Sequence, residues 1–235
     1  MCGRFSATFS FRDIKVRWNL YGDLEFAPHY NIAPSQSVPV IVKSDRGNEA
    51  KLMKWGLVPS WAPDPSIGNR MINARAETLL EKPSFKRLVS ERRCIIPADG
   101  FYEWRREGNR KVSVWIHLKK KEPFAFAGLW NEWRDRDSRN VLDTFTIITT
   151  DPNPLMRPIH DRMPVIYDRE MGHQWLEHDY GDSAPVLAAV LRPWPSEPME
   201  AWDVSPSVNS PENDSPACIQ PLPPTQPTQA QLPLL

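Results

Sequence analysis

Short runs of apolar residues, interrupted by turn-forming residues, dominate the chain between residues 37 and 167. Runs rich in Val, Ile, Thr and aromatic residues are typical of β-strands, because such side chains pack well on a pleated surface. The pattern predicts eight strands, at 37–43, 50–57, 93–97, 101–104, 111–118, 123–130, 144–150 and 163–167. We therefore expect an interior built mainly of β-sheet.

Three other segments repeat their apolar residues with helical spacing. They predict helices at 11–18, 83–91 and 169–178. Ser10 and Asp13 have the spacing of a capping pair before the first helix, and Pro83 stands in the first turn of the second. The chain lacks a βαβ rhythm of about 30 residues, a GxGxxG motif and a Walker loop, so nucleotide-cofactor folds are not expected. The predicted fold class is α+β, a single β-rich domain with mixed, partly barrel-like sheets flanked by short helices.

Proline marks a boundary near the C-terminus. Eleven of the 25 prolines lie between Pro193 and Pro233, and the segment from residue 219 onward carries no charged side chain. A segment of this composition cannot bury enough apolar surface to form a core. We expect one folded domain over residues 2–218 and a disordered Pro/Gln-rich tail over 219–235.

Composition narrows the class of protein further. At 235 residues with 40% hydrophobic residues, the chain can form one core of roughly 200 residues. It has no apolar run like that of a signal peptide and no window near the ~18 residues of a membrane span. We therefore expect a soluble, intracellular protein. The three cysteines, Cys2, Cys94 and Cys218, are too scattered for a disulfide framework or a zinc site, so neither metal nor cofactor is expected.

Charge is unevenly distributed along the chain. The formal net charge is zero, which argues against a nucleic-acid-binding protein. Residues 70–121, however, hold fourteen Lys and Arg against six Asp and Glu, a balance of +8. Such a segment can form a face that binds a polyanion, or simply a solvated basic surface.

The chain begins MCGRF. A start methionine followed by a side chain as small as Cys2 is normally removed, which leaves an α-amine and a thiol on one residue. The amine titrates near ~8 and the thiol near ~8.5, so both nucleophiles are available around neutral pH. The alternative is that Cys2 is merely a small residue in a frayed terminus.

Two further segments hold polar residues among apolar ones. In MINARAET, Asn73 and Arg75 occupy alternate positions and would point the same way in an extended backbone. Glu103 lies between two aromatic residues in FYEW, a setting that would raise its pKa on burial and suit it to proton transfer. Asn73 could instead cap a helix, and Glu103 could be a surface carboxylate at a strand edge.

His160 and Trp61 stand in proline-rich loops. His160 lies in RPIHDRMP (157–164), where two prolines would present it rigidly as a proton donor or acceptor. Trp61 lies in VPSWAPD, where the prolines hinder its access to a core and a nucleobase could stack on it. A turn histidine that binds backbone and a tryptophan used for packing are the alternatives.

Taken together, these motifs resemble the SRAP family, the SOS-response-associated peptidases that are also described as abasic-site processing proteins. The resemblance covers roughly residues 2–218 in order, and the tail lies outside it. The matching stretches are MCGRF at 1–5, YNIAPSQ at 30–36, WGLVPSWAPD at 55–64, INARAET at 72–78, RRCIIPADGFYEW at 92–104, FAFAGLW at 124–130, FTIITTDPN at 145–153, IHDRMPVI at 159–166 and VSPSVNS at 204–210.

The resemblance implies capture of abasic sites in single-stranded DNA. The amine of mature Cys2 would attack the open-chain aldehyde, and its thiol would close a thiazolidine; β-elimination from the same imine would give an AP lyase activity. Asn73 matches the residue that holds the Cys2 end and the sugar, Glu103 the one that moves protons at the amine, and His160 the one that promotes ring opening. The positions that match DNA-contacting residues are Arg4, Trp61, Arg75 and Arg162.

Two other classes of function use the same residues differently. An N-terminal-nucleophile peptidase or amidohydrolase would let Cys2 attack an amide with its own amine as base, and could release Met1 autocatalytically. That mechanism does not explain the basic segment or Trp61. A single-strand binding module without covalent chemistry is the third class.

Overall fold

Fourteen strands and four helices form the regular structure of residues 2–135, 140–178, 180 and 183–223, the part of the chain that the computed structural model describes. The strands are β1 (Phe5–Ala7), β2 (Leu20–Tyr21), β3 (His29–Ile32), β4 (Ser37–Ser44), β5 (Gly47–Trp55), β6 (Asn73–Arg75), β7 (Arg93–Ala98), β8 (Gly100–Glu107), β9 (Arg110–Leu118), β10 (Phe124–Arg134), β11 (Val141–Thr150), β12 (Met163–Pro164), β13 (Ile166–Tyr167) and β14 (Met199–Asp203). The helices are α1 (Phe11–Trp18), α2 (Pro83–Glu91), α3 (Arg169–Glu177) and α4 (Ala184–Val190), with 3₁₀ turns at Pro65–Arg70, Ala76–Thr78, Pro206–Asn209 and Pro216–Ile219. No helix in these ranges is both long enough and apolar enough to cross a membrane.

The eight predicted strands and three predicted helices are all present, the last predicted strand being divided into β12 and β13. The predicted capping pair forms at α1. The Ser10 side chain accepts a hydrogen bond from the Asp13 amide, and the Asp13 carboxylate accepts one from the Ser10 amide at 3.0 Å. Pro83 opens α2 as expected. The shorter elements β1, β2, β3, β6, β14 and α4 were not predicted.

Five strands close into a ring, which confirms the barrel-like expectation. β4 pairs with β5, β5 pairs in parallel with β11, β11 pairs with β10, β10 with β7, and β7 returns to β4. A second, antiparallel sheet has the order β14-β9-β8-β1-β3. With the few short helices packed outside, the fold class is α+β.

The N-terminal strand is anchored in the core by an aromatic residue. Phe5 on β1 packs edge-on against Trp55 and Phe126, with ring centroids 5.2 Å and 5.6 Å apart. Burying an aromatic side chain stabilises a fold by roughly 1.5–3 kcal/mol. The first residues of the chain are therefore held in place rather than frayed, and Cys2 has a fixed position.

Of the predicted tail, the structure describes residues 219–223. The Ile219 carbonyl accepts a hydrogen bond from the Trp202 indole at 3.0 Å, and the Leu222 amide donates to the Asp203 carbonyl at 2.8 Å. These bonds lay the segment against β14. Residues 224–235, the rest of the predicted tail, lie outside the described residues.

Candidate functional site

Cys2 lies fully buried at the entrance to β1. Its carbonyl accepts a hydrogen bond from the Asn73 side-chain amide at 2.8 Å, and its thiol makes a weak contact of 3.9 Å with the Arg4 carbonyl. Burial, together with the negative charge of Glu103, raises the pKa of the thiol. The thiol is therefore protonated in this state.

Asn73 reaches Cys2 because β6 adds in parallel to the edge of β11, opposite Ile147. Its side-chain nitrogen donates to Cys2, but its Oδ1 is buried and accepts no hydrogen bond from any described residue. A buried acceptor without a donor costs about 1–3 kcal/mol. Oδ1 is therefore available to an incoming donor, such as an amine or a sugar hydroxyl.

Glu103 is brought to the same place by the pairing of β8 with β1, in which Phe5 stands opposite Phe101. The Glu103 side chain is only 2% exposed. Burial disfavours its charged form and raises its pKa to about 7. Near neutral pH it is present as both acid and base, which suits a group that takes up and returns a proton.

His160 faces Glu103, with Nε2 3.8 Å from the Glu103 Oε2. Its Nδ1 accepts a hydrogen bond from the Arg162 amide at 3.0 Å, and the Asp161 carboxylate lies 2.8 Å from the same nitrogen. The two contacts require different protonation states. The neutral ring with its proton on Nε2 accepts from Arg162, whereas a ring with a proton on Nδ1, either the imidazolium or the other neutral tautomer, donates to Asp161. Burial lowers the pKa of His160, which favours the neutral ring.

Arg4, predicted to contact DNA, has most of its side chain inside the protein. It is 9% exposed, and one guanidinium nitrogen donates to the Asn31 Oδ1 at 2.8 Å and the Val208 carbonyl at 2.7 Å. These bonds tie β1 to β3 and to the VSPSVNS segment. The hydrogen bonds of Arg4 thus hold the segment between Cys2 and β1 in place.

Arg162, also predicted to contact DNA, is enclosed by acceptors. Its two terminal nitrogens each lie 2.9 Å from an oxygen of Glu77, and it also donates to Asp151 at 3.0 Å and to the Thr149 carbonyl at 2.7 Å. Its side chain is 12% exposed. Sequence reasoning missed Glu77 and Asp151, although Glu77 lies only four residues after Asn73 in the same INARAET motif.

Arg75 and Trp61 are the two predicted DNA contacts that face solvent. Arg75 is exposed, and no described residue is an ion-pair partner of its guanidinium. Trp61 is 55% exposed and lines a cavity of about 350 Å³ with Pro59, Pro83 and Arg92. Both side chains are accessible to a nucleic acid.

Several cations of the basic segment 70–121 already have acceptors within the protein. Arg87 pairs with Glu91 at 2.8 Å, Arg93 donates to four backbone carbonyls, and Arg105 pairs with nearby carboxylates. Among the described residues, no group of three His, Cys, Asp or Glu side chains converges as metal ligands.

A family model described as SOS response associated peptidase (SRAP) matches residues 1–211. The chain belongs to the SRAP family. It is 47% identical over 224 residues to an abasic site processing protein, YoqW, of Bacillus subtilis, covering 94% of this chain and 99% of that one. It is 32% identical to the abasic site processing protein HMCES of Xenopus tropicalis, covering 93% and 78%. A crystal structure of a Bacteroides thetaiotaomicron protein matches with a TM-score of 0.85 at 31% identity, covering 94% of this chain and 100% of that one.

In this SRAP protein the four predicted catalytic residues come together from separate segments. Cys2 touches Asn73, Glu103 lies close enough to affect the Cys2 thiol, and His160 faces Glu103. The predicted DNA contacts divide into two exposed side chains and two arginines with internal partners. The arrangement places a thiol beside a carboxyl group whose pKa is raised to about 7 and an imidazole.

Proposed function

We propose that the protein processes abasic sites in single-stranded DNA by forming a covalent thiazolidine through Cys2, after removal of Met1. The observation that carries the proposal is the placement of Cys2 beside Asn73, Glu103 and His160. The names of the relatives support abasic DNA as the substrate class. We further propose that it acts as a monomer in the cytoplasm at the nucleoid, or in the nucleus of a eukaryotic source.

The first step opens the sugar ring. The His160 imidazolium donates its Nε2 proton to the ring oxygen as the bond between C1′ and that oxygen breaks. The C1′ hydroxyl loses its proton to solvent, and the aldehyde forms. His160 remains as the neutral ring with its proton on Nδ1, where Asp161 holds it.

The second step joins the amine of Cys2 to the aldehyde. Glu103, with a pKa of about 7, takes the two protons of the attacking amine one after the other and delivers both to the aldehyde oxygen, which leaves as water, so a neutral imine forms. The thiol has a raised pKa and follows the amine. Its sulfur then bonds to C1′, its proton passes to the imine nitrogen, and the five-membered ring closes.

The same imine accounts for an AP lyase activity. It acidifies the C2′ proton, and a base such as the Glu103 carboxylate can remove that proton. The electron pair forms a C2′–C3′ double bond as the 3′ phosphate leaves, which cuts the strand. Cross-linking and cleavage thus compete for one intermediate.

The rival functions fit the site less well. A cysteine peptidase needs a thiolate, whereas burial and Glu103 raise the pKa of the Cys2 thiol. A binding module without covalent chemistry leaves the acid–base pair of Glu103 and His160 without a use. Each rival function predicts a different result in the experiment that follows.

The experiment compares wild type with Cys2→Ser on single-stranded DNA that carries one abasic site. Intact mass should show loss of Met1 and, after reaction, a mass equal to protein plus DNA minus one water. On a denaturing gel, wild type should give a stable adduct. Cys2→Ser keeps the amine but lacks the sulfur, so it should give strand cleavage without that adduct.

A reductant and a methionine-retaining preparation complete the test. Borohydride should trap the Cys2→Ser imine as a stable amine, which separates the role of the amine from that of the thiol. A binding module would give no adduct with either protein, and a peptidase would cleave peptides without reacting with the aldehyde. Equal cross-linking by protein that still carries Met1 would contradict the proposal.

A further inference from the structure

A cavity of about 640 Å³ opens beyond the end of β1 that lies away from Cys2. Thr8 and Phe9, which follow β1, form one wall, and residues of α1, of the turn before β10 and of the start of α3 form the others. None of the four candidate catalytic residues lines it. A cavity of this volume is typical of a site for a small ligand.

Cationic side chains dominate the lining of this cavity, which we call the basic cavity. Four of them come from three segments: Arg12 and Arg17 on α1, Lys121 in the turn between β9 and β10, and Arg169 at the start of α3. Helix α1 packs against the core through Ile14 and Trp18, so its other side carries Arg12 to the cavity. Like charges gathered in one place repel one another unless an anion lies between them.

The acidic side chains of the basic cavity, Asp13 and Asp99, already have hydrogen-bond donors of their own. The Asp13 carboxylate accepts from the Ser10 amide at 3.0 Å and from the Ser10 hydroxyl at 2.7 Å. These bonds are the main reason that the pKa of Asp13 is lowered, and the charge of Arg12 contributes less. Asp99 accepts from the Thr8 amide at 2.7 Å and from two hydroxyl groups. Neither carboxyl group is left over to pair with the four cations.

The basic side chains correspondingly have few ionic partners. Arg17 lies 3.9 Å from the Glu122 carboxylate, at the limit of an ion pair. Arg12, Lys121 and Arg169 are exposed and form no ion pair with any residue that the structure describes. Their charges are therefore available to a ligand.

Three of these cations stand where they weaken the free protein. Arg12 is the second residue of α1 and Arg169 the first of α3, at helix ends where the backbone already carries partial positive charge. Lys121 has a left-handed backbone, with φ of 53°, which is costly for any residue other than glycine. Such placements are expected where a bound anion offsets their cost.

The character of the lining indicates the class of anion. Arginine side chains bind phosphate oxygens through pairs of hydrogen bonds. Among the described residues that line the basic cavity there is no Trp or Tyr, so a nucleobase has no such ring to stack on, unlike at the cavity beside Trp61. We propose that the basic cavity binds an oligophosphate, either the phosphate chain of a nucleotide or consecutive phosphates of a nucleic-acid backbone. The inference goes beyond the proposed function, since the reaction at Cys2 does not require this cavity.

Calorimetric titration of the free protein with inorganic tripolyphosphate, at constant ionic strength, tests the site directly. Wild type should bind, and the double variant Arg12→Gln/Arg169→Gln should bind at least about 10-fold more weakly, because two charged contacts are lost. Arg46→Gln is the matched control. It removes an exposed charge at the turn between β4 and β5 and should bind as wild type does. No binding by wild type, or equal binding by the double variant, would overturn the inference.

A separate variant guards against a folding defect in the first. Lys121→Gly suits the left-handed backbone and removes the charge, so it should weaken tripolyphosphate binding about threefold or more. Amide NMR then locates the ligand in wild type. The largest shifts on adding tripolyphosphate should be those of Thr8 and Lys121. If the largest shifts are instead at Trp61 and Arg75, the anion occupies the predicted DNA contacts and the inference is wrong.

Two further ligands distinguish the sources of the phosphates. One is a single-stranded oligonucleotide without an abasic site, and the other is a nucleoside triphosphate. If the cavity holds a nucleic-acid backbone, the double variant should reduce the slope of log K against log salt for the oligonucleotide by about 0.7 for each lost contact. If it holds a nucleotide, that slope should stay as in wild type while the triphosphate binds about 10-fold more weakly. A double variant that changes neither measurement would contradict the proposed site. None of these measurements uses abasic DNA, so they stand or fall independently of the proposed function.

Discussion

Asp99 and Glu103 are two buried acidic residues that lie four residues apart around the start of β8. Their surroundings differ, because Asp99 accepts several hydrogen bonds whereas burial dominates at Glu103. Asp99 is 8% exposed and Glu103 is 2% exposed. Asp99 accepts hydrogen bonds from the Ser6 hydroxyl at 2.6 Å, the Thr8 amide at 2.7 Å and the Thr8 hydroxyl. These donors satisfy the Asp99 carboxyl group and fasten β1 to the residue before β8.

At Glu103 burial outweighs the favourable contacts, and its pKa rises to about 7. The Oδ1 of Asn73, nearby, is buried with no donor among the described residues. The polar side chains of Ser6, Thr8 and Asp99, which we call the matched end of β1, thus bind one another within the protein. Those around Cys2, which we call the reactive end, have only part of their hydrogen-bonding capacity used. Incomplete satisfaction lowers stability but keeps these groups available for chemistry, as is common at functional sites.

The largest expected effects come from replacing His160 and Glu103, the two acid–base residues of the reactive end, and they differ between the two. His160→Ala should slow cross-linking by about 10²- to 10⁴-fold, the usual cost of losing a positioned general acid, because little open aldehyde forms. Glu103→Gln should lose much of the strand cleavage and still form the thiazolidine slowly, since a 1,2-aminothiol condenses with aldehydes unaided. A time course that resolves both products on one gel measures each rate.

Asp99→Asn provides the control at the matched end of the strand. It should leave the ratio of cross-linking to cleavage as in wild type. Slowing of both products by one common factor in His160→Ala and Glu103→Gln would mean that the pair acts on a single shared step, and the division of roles proposed above would be wrong.

The second prediction concerns the stability of the matched end. Asp99→Asn replaces an acceptor of three hydrogen bonds by a group that can accept with only one oxygen and points N–H groups at donors. Charged hydrogen bonds contribute about 1.5–3 kcal/mol each, so the free energy of unfolding should fall by about 3 kcal/mol. Urea unfolding at pH 7 measures it; a loss below about 1 kcal/mol would show that these donors are equally well satisfied by water.

The third prediction is that removing the charge of Glu103, unlike the change Asp99→Asn, increases the free energy of unfolding. Its pKa is higher in the folded state than the ordinary 4.5, so folding is favoured by its protonation and stability falls as the pH rises from about 4.5 through about 7. The shift corresponds to about 3 kcal/mol, at 1.36 kcal/mol for each unit. Glu103→Gln should therefore stabilise the protein by about 3 kcal/mol at pH 8 and by almost nothing at pH 4. Unfolding curves at the two pH values check this, and an equal effect at both would refute the linkage.

The main strands and helices could be predicted because their patterns are local. Alternation of β-branched residues marks 144–150, and the Ser10 capping pair marks α1. β14 was missed because MEAWD is only five residues long and includes two acidic residues, and α4 because APVLAAV spans only seven residues. Closure of the ring depends on the pairing of β5 with β11, which are about 90 residues apart, and no local pattern specifies such a contact.

The candidate catalytic residues could be named from the motifs, and a raised pKa could be expected for Glu103 only on the condition that it is buried. That Glu103 titrates near neutral pH depends on its burial by distant segments. Arg4 and Arg162 have the same side chain as Arg75, yet they lie among carbonyl, amide and carboxylate acceptors that come from positions up to about 200 residues away. A sequence shows where an arginine is, and only the fold shows whether its hydrogen bonds are already used.

The smallest predicted effect concerns these arginines, of which Arg4 and Arg162 have acceptors inside the protein and Arg75 is exposed to solvent. Arg75 is exposed and unpaired by any described residue, so it is the arginine of the predicted set best placed to neutralise a phosphate. Arg75→Ala should reduce the salt slope of non-covalent binding to single-stranded DNA by about 0.7 to 1 unit, which corresponds to one phosphate contact.

Arg46, an exposed arginine at the β4–β5 hairpin tip, supplies the matched control. Arg46→Ala removes the same charge far along β5 from the site and should leave the slope as in wild type. Titrations by fluorescence anisotropy at several salt concentrations, with an unreactive abasic analogue that prevents cross-linking, measure both slopes. Equal slopes for the two variants would show that binding responds to total charge rather than to a contact at Arg75, and the distinction between available and internally bound arginines would then have no bearing on DNA binding.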